Sequence, residues 1–111
     1  MLIELIKSLF GVGVNKITVE ELENKNIPVI DVRNKNSYQK GHIPGAVNIP
    51  YSNFDLSHPK LKEIDKEDEI AVNCVSGISS IKITSILNKN GYKNAKSLKG
   101  GYQLWKSKIM A

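Results

Sequence analysis

Alternation is the feature that most narrows what this chain can fold into. Short, mostly β-branched runs, "IPVIDVR" at 27–33, "AVNIP" at 46–50 and "EIAVN" at 69–73, are separated by segments whose apolar residues recur at helical spacing. The first run predicts a buried strand over 28–32, the second a brief strand closed by Pro50, the third another strand, and "NAKSL" at 94–98 a fourth, weaker one. "KITVEELENK" at 16–25 begins as a short strand and turns into a helix, with Thr18 and Glu21 spaced as a capping box. "NKNSYQKG" at 34–41 reads as a loop and a short helix stopped by Gly41, and the polar stretch 51–68 as a short helix with loops. Ile83, Ile86 and Leu87 sit at helical offsets in a helix from Ile78 to Asn90 that stops at Gly91, and "GGYQLWKSKIM" forms a closing helix. Strands joined through helices pair in parallel, because a parallel neighbour needs a crossover connection. The expectation is an α/β domain on a central parallel sheet, with any ligand at the carboxyl ends of the strands.

The 111 residues make one domain with room for a core of its own. Sixteen Lys and Arg residues stand against eleven Asp and Glu, a net charge of +5 spread along the chain without a like-charge block. That distribution reads as a solvated lysine-rich face and not as a nucleic-acid footprint. The single cysteine, Cys74, excludes an intrachain disulfide and a cysteine-built structural zinc site, and it suits a reducing, cytoplasmic setting. "MLIELIKSLF" lacks the basic start and cleavage pattern of a targeting segment and is too short to span a membrane. Leu2, Leu5, Ile6, Leu9 and Phe10 give it one apolar helical face, expected to dock on the domain, with "GVGVN" at 11–15 as a joint. The expected organisation is therefore an N-terminal amphipathic helix and joint over 1–15 and a domain over 16–111.

Cys74 ends an apolar run and is followed by "VSGISS" and then a helix. A thiol reacts as the thiolate, and a free pKa of about 8.5 leaves a minor fraction ionised at neutral pH. A helix N-terminus favours an anion, and a loop curled around the sulfur turns its amides inward as a nest. Gly77 allows that curl, and Ser76, Ser79 and Ser80 add hydroxyls. The competing reading is a buried core cysteine.

"DVRNKNSYQKGHIPGAVNIP", "CVSGISS" and "GYKNAKSLKGGYQLW" occur in this order, and together they resemble the rhodanese family of sulfurtransferases over residues 17–108. The resemblance implies a central parallel sheet flanked by helices on both faces and a loop cysteine that carries a persulfide. It makes Cys74 the nucleophile and Val75, Ser76, Gly77, Ile78, Ser79 and Ser80 the cradle that binds the transferred sulfur. It implies no metal or organic cofactor, a small-molecule sulfur donor or a protein persulfide as partner, and a thiol or cyanide as acceptor. Asp31 and Arg33 then anchor loops near the site, with contact to substrate as the alternative for either, and His42 holds a turn, with a general base as its alternative. Gly100 and Gly101 let the chain turn before the Trp105 helix, and His58, in a polar stretch, is expected to be exposed.

The loop departs from the family in charge. Val75, Ile78 and Ser79 stand where active members carry basic residues, and Arg33 is the only arginine in the chain. A thiosulfate dianion gains much from a guanidinium clamp, so neutralisation here would fall to a lysine such as Lys82 or Lys99. A persulfide donor asks for less anion binding. A phosphatase or arsenate reductase on the same fold needs an arginine where Ser80 stands, and a non-catalytic binding or regulatory module is the remaining alternative.

Overall fold

A computed structural model describes residues 13–110. The amphipathic helix expected near the N-terminus lies outside the described residues up to position 12. The strands are β1 (Lys16–Ile17), β2 (Val29–Asp31), β3 (Val47–Asn48), β4 (Ile70–Asn73) and β5 (Ala95–Leu98). The helices are α1 (Val19–Glu23), α2 (Lys35–Lys40), α3 (Pro59–Lys62), α4 (Ser79–Lys89) and α5 (Gly101–Ile109), with a 3-10 turn at Tyr51–Asn53. All strand pairs are parallel, in the order β1-β5-β4-β2-β3. The α/β architecture expected from the alternation is the one observed.

Side chains alternate across the sheet and build a core on each face. Ile30, Val32, Ile70, Val72 and Ala95 point to the face covered by α3 and α4, where Leu61, Ile83 and Leu87 meet them. Val29, Ala71 and Leu98 point to the other, packed with Val19 and Leu22 of α1 and Trp105 of α5. Burying a side chain of the Leu or Ile class contributes about 1.5–3 kcal/mol, so these two layers supply the main drive to fold. The Thr18 capping box forms as expected, with Glu21 N–H donating to Thr18 Oγ1 and Thr18 N–H to Glu21 Oε1.

β5 is an inner strand, lying between β1 and β4, although its sequence is the least strand-like. Its polar residues are used: Lys96 reaches Glu69 at 2.7 Å and Ser97 is buried at a hydrogen bond. β2 leads outward to β3 on one side and β4 to β5 on the other. The carboxyl ends of β2 and β4 therefore diverge, and this is where a parallel α/β sheet opens a crevice. Cys74 lies there, directly after β4.

Candidate active site

The loop after β4 wraps its own first residue. Cys74 is 4% exposed and its Sγ accepts the Gly77 N–H at 3.0 Å. Beneath it the sulfur is 3.3 Å from Ser80 Oγ, which in turn is 2.7 Å from Ser97 Oγ on β5. α4 begins without a side-chain cap, and the Ser80 amide of its first turn is directed to the sulfur instead. Burial pushes the thiol up. The Ser80 hydroxyl and the amides of Ser80, Gly77 and Ser76 outweigh it and hold the thiol below its ordinary value.

What turns these amides inward is the start of α5. Tyr102 N–H donates to the Cys74 carbonyl at 2.8 Å and Gln103 N–H to the Val75 carbonyl at 3.0 Å. With those carbonyls drawn away toward α5, the loop presents N–H groups to the sulfur. Contact this close requires glycine at two places. Gly77 has φ +93°, and a Cβ there would lie 3.0 Å from Gly100 N and 3.2 Å from Leu98 O. Gly101 has φ +61°, and a Cβ there would lie 2.6 Å from Cys74 O and 2.7 Å from Val75 O.

The expected site residues divide. Val75, Ser76, Ile78 and Ser79 form an exposed rim around the half-buried Gly77, with Val75 55% and Ile78 75% exposed. Ser80 is fully buried under the sulfur and does not reach the rim, so its hydroxyl serves the sulfur from below. No hydrogen bond or ion pair ties Lys82 or Lys99 to the loop among the described residues; both are exposed. The sole arginine is committed elsewhere. Arg33 pairs with buried Asp31 at 2.8 Å, donates to the Gly41 carbonyl at 2.7 Å and lies 3.9 Å from the Tyr102 ring centroid. It braces the loop after β2 and the first turn of α5 from behind, with 7% exposure.

Neither histidine meets the sulfur. His42 Nδ1 is 2.8 Å from the Tyr38 carbonyl and its ring stacks on Tyr38. A carbonyl can only accept, so that nitrogen carries the hydrogen. His42 lines a cavity of about 740 Å³ with Lys35, Gln39 and Asn48, and no residue of the Cys74 loop contributes to it. His58, expected to be exposed, is half-buried and caps α3, its Nδ1 accepting the Lys60 N–H at 3.1 Å. Among the described residues no group of three or more His, Cys, Asp or Glu is placed to hold a metal, and no helix is long and apolar enough to cross a membrane.

Sequence reasoning missed Ser97 and the loop-bracing role of Gly101 and Tyr102. The signal for Ser97 was a small hydroxyl at an inward position of a strand. Its partner lies across the sheet–helix interface, which local spacing does not reveal.

Residues 15–108 match the family described as "Rhodanese-like domain". The thiosulfate sulfurtransferase GlpE of Shewanella oneidensis is 34% identical over 100 residues, covering 90% of this chain and 95% of that protein. Among solved structures, a rhodanese-related protein from Thermoplasma volcanium superposes with a TM-score of 0.72 at 29% identity, covering 86% of this chain and 93% of that one. The human single-domain sulfurtransferase TSTD1 gives 0.74 at 25% identity, covering 86% and 98%.

Proposed function

The chain belongs to the rhodanese-like domain family and is a sulfurtransferase of that family, and we propose that it moves sulfane sulfur through a persulfide on Cys74. The observation that carries this reading is the lone thiol at the carboxyl end of the central strand, its sulfur 3.3 Å from the Ser80 hydroxyl and accepting the Gly77 N–H at 3.0 Å. In the first step the Cys74 thiolate attacks the outer sulfur of the donor. A sulfur–sulfur bond forms on Sγ, the donor's own sulfur–sulfur bond breaks, and its electron pair leaves on sulfite or on a thiolate. A sulfur–sulfur bond of about 2 Å carries the transferred atom up from the floor of the loop toward the rim. In the second step an acceptor thiolate or cyanide attacks that outer sulfur, and the electron pair returns to Cys74. Both steps balance on electron pairs that the sulfur atoms already carry.

The neutral rim sets the donor class. Val75, Ile78 and Ser79 offer no cation to the oxygens of thiosulfate, so thiosulfate is a slow donor and an uncharged or protein-bound persulfide a fast one. A reducing, cytoplasmic setting belongs to this reading, because an unpaired thiolate is otherwise lost to oxidation.

Intact-mass measurement after incubation with thiosulfate and, separately, with a persulfide donor tests the proposal. The wild type is expected to gain the mass of one sulfur atom, and folded Cys74→Ser none. A gain that persists in Cys74→Ser would refute the covalent step. No gain on the wild type with either donor would leave the apolar rim as the mark of a binding module.

A further inference from the structure

Ser97 holds the far end of a buried chain of sulfur and hydroxyl groups. Cys74 Sγ, Ser80 Oγ and Ser97 Oγ follow one another at 3.3 and 2.7 Å, with Ser80 0% and Ser97 1% exposed. Ser97 Oγ has no other hydrogen-bond partner among the described residues. Each hydroxyl owns a single hydrogen, and this fixes what the chain can satisfy. With a thiol donating to Ser80, the Ser80–Ser97 bond uses only one of the two hydroxyl hydrogens, whichever serine donates, and the other is left without a partner in the chain. With a thiolate, Ser97 donates to Ser80, Ser80 donates to the sulfur, and every hydrogen is used. An unmade buried donor is costly, and consecutive hydrogen bonds polarise and strengthen one another.

We propose that Ser97 is a positioning residue for sulfur transfer: bonded to Ser80 Oγ, its hydroxyl fixes the Ser80 hydrogen on the Cys74 sulfur. This rests on the reading of Cys74 as the sulfur carrier and adds the group that aims its support. The same chain serves both steps. It favours the attacking thiolate in the first, and in the second it stabilises the charge that returns to Sγ as the acceptor takes the outer sulfur. Among the described residues no charged side chain is hydrogen-bonded to the sulfur. On the elements packed around it, Asp31 and Arg33 pair with each other, Lys96 points to the opposite face and pairs with Glu69, and Lys82 and Lys99 are exposed. The hydroxyl of Thr84, one turn along α4, is spent on the Ser80 carbonyl at 2.6 Å.

The test is the pH dependence of Cys74 alkylation by iodoacetamide, an uncharged probe of thiolate that does not depend on sulfur transfer. Ser97→Ala is expected to shift the profile to higher pH, slowing alkylation by about 1.3- to 4.5-fold on its rising limb, as a 10–30% weakening of a charged hydrogen bond gives. Ser80→Ala, which removes that bond, is expected to slow it about tenfold or more. In the Ser80→Ala background Ser97→Ala should add nothing, because Ser97 acts only through Ser80. Ser97→Thr keeps the hydroxyl and should keep the wild-type profile, whereas Ser97→Val, of the same shape, should shift it. That pair decides the matter should Ser97→Ala fail to fold. A wild-type profile in Ser97→Ala or Ser97→Val, or an equal added shift in the Ser80→Ala background, would overturn the proposal. Loss of sulfur transfer with these profiles as expected would instead remove the carrier role and leave the hydroxyl chain standing.

Discussion

Ser79 opens α4 at the exposed rim, a position where one side chain can change the charge seen by an incoming donor without touching the buried cradle. Ser79→Arg places a planar cation there, able to pair with the oxygens of thiosulfate. A well-aligned charge-assisted contact contributes about 1.5–3 kcal/mol, or roughly ten- to a hundredfold in apparent affinity. The expected outcome is a rise in the rate with thiosulfate relative to an uncharged persulfide donor, measured in wild type and variant. An unchanged ratio in a folded variant would mean that the rim charge does not select the donor. Residue identity alone already announced the neutral rim. It did not announce that Ser80 would lie on the other side of the sulfur from Ser79, because the first turn of a helix carries successive side chains in different directions.

At the scale of elements, the site is a contact between the loop after β4 and the start of α5. The α5 amides of Tyr102 and Gln103, which have no partner within their own helix, are satisfied by the loop carbonyls, and Gly101 makes room for the approach. Gly101→Ala sets a Cβ against Cys74 O, Val75 O and Gly77 N in a left-handed backbone conformation. Strain of this kind costs about 1–3 kcal/mol, and moving the loop carbonyls also disturbs the amides that face the sulfur. A lowered denaturant midpoint together with slower persulfide formation is expected. If the midpoint drops but the rate stays at the wild-type level, the α5 brace supports the fold and not the cradle. The same scale explains why β5 read weakly: its Lys96 and Ser97 interrupt an apolar pattern because one is spent on Glu69 and the other on Ser80.

Across the whole molecule, the sulfur loop and the Glu69 ion pairs sit at opposite ends of β4. Near the amino end of β4, Glu69 accepts from Lys25 after α1 and from Lys96 on β5. The hydrogen bonds from Lys96 and Lys25 hold its carboxyl below the ordinary carboxylate value, against a smaller upward push from burial. A depressed carboxylate contributes stability that is complete above its unfolded pKa and is lost as pH falls through its folded one. Urea midpoints should therefore fall on acidification through that window, and Glu69→Gln should flatten the fall while leaving sulfur transfer at its wild-type rate. Parallel midpoint curves for the two proteins would show that Glu69 is not a source of the acid limb.

The sequence by itself determined the fold class and the address of the thiol. β-branched runs alternating with helical periods point to an α/β domain on a parallel sheet, the resemblance to the family adds helices on both faces, and Cys74 closes one such run immediately before a helix. Gly77, Gly100 and Gly101 could be read as turning points, and each has a positive φ. Tertiary structure alone decided what those turns accomplish. Ser97 meets Ser80 only after β5 pairs with β4 and α4 folds back over both, and Arg33 is withdrawn from the site only because Asp31, the Gly41 carbonyl and the Tyr102 ring converge on it. Periodicity is a property of neighbours along the chain, whereas the partners of a buried polar group are set by which elements cross, and that is settled when the two core layers pack.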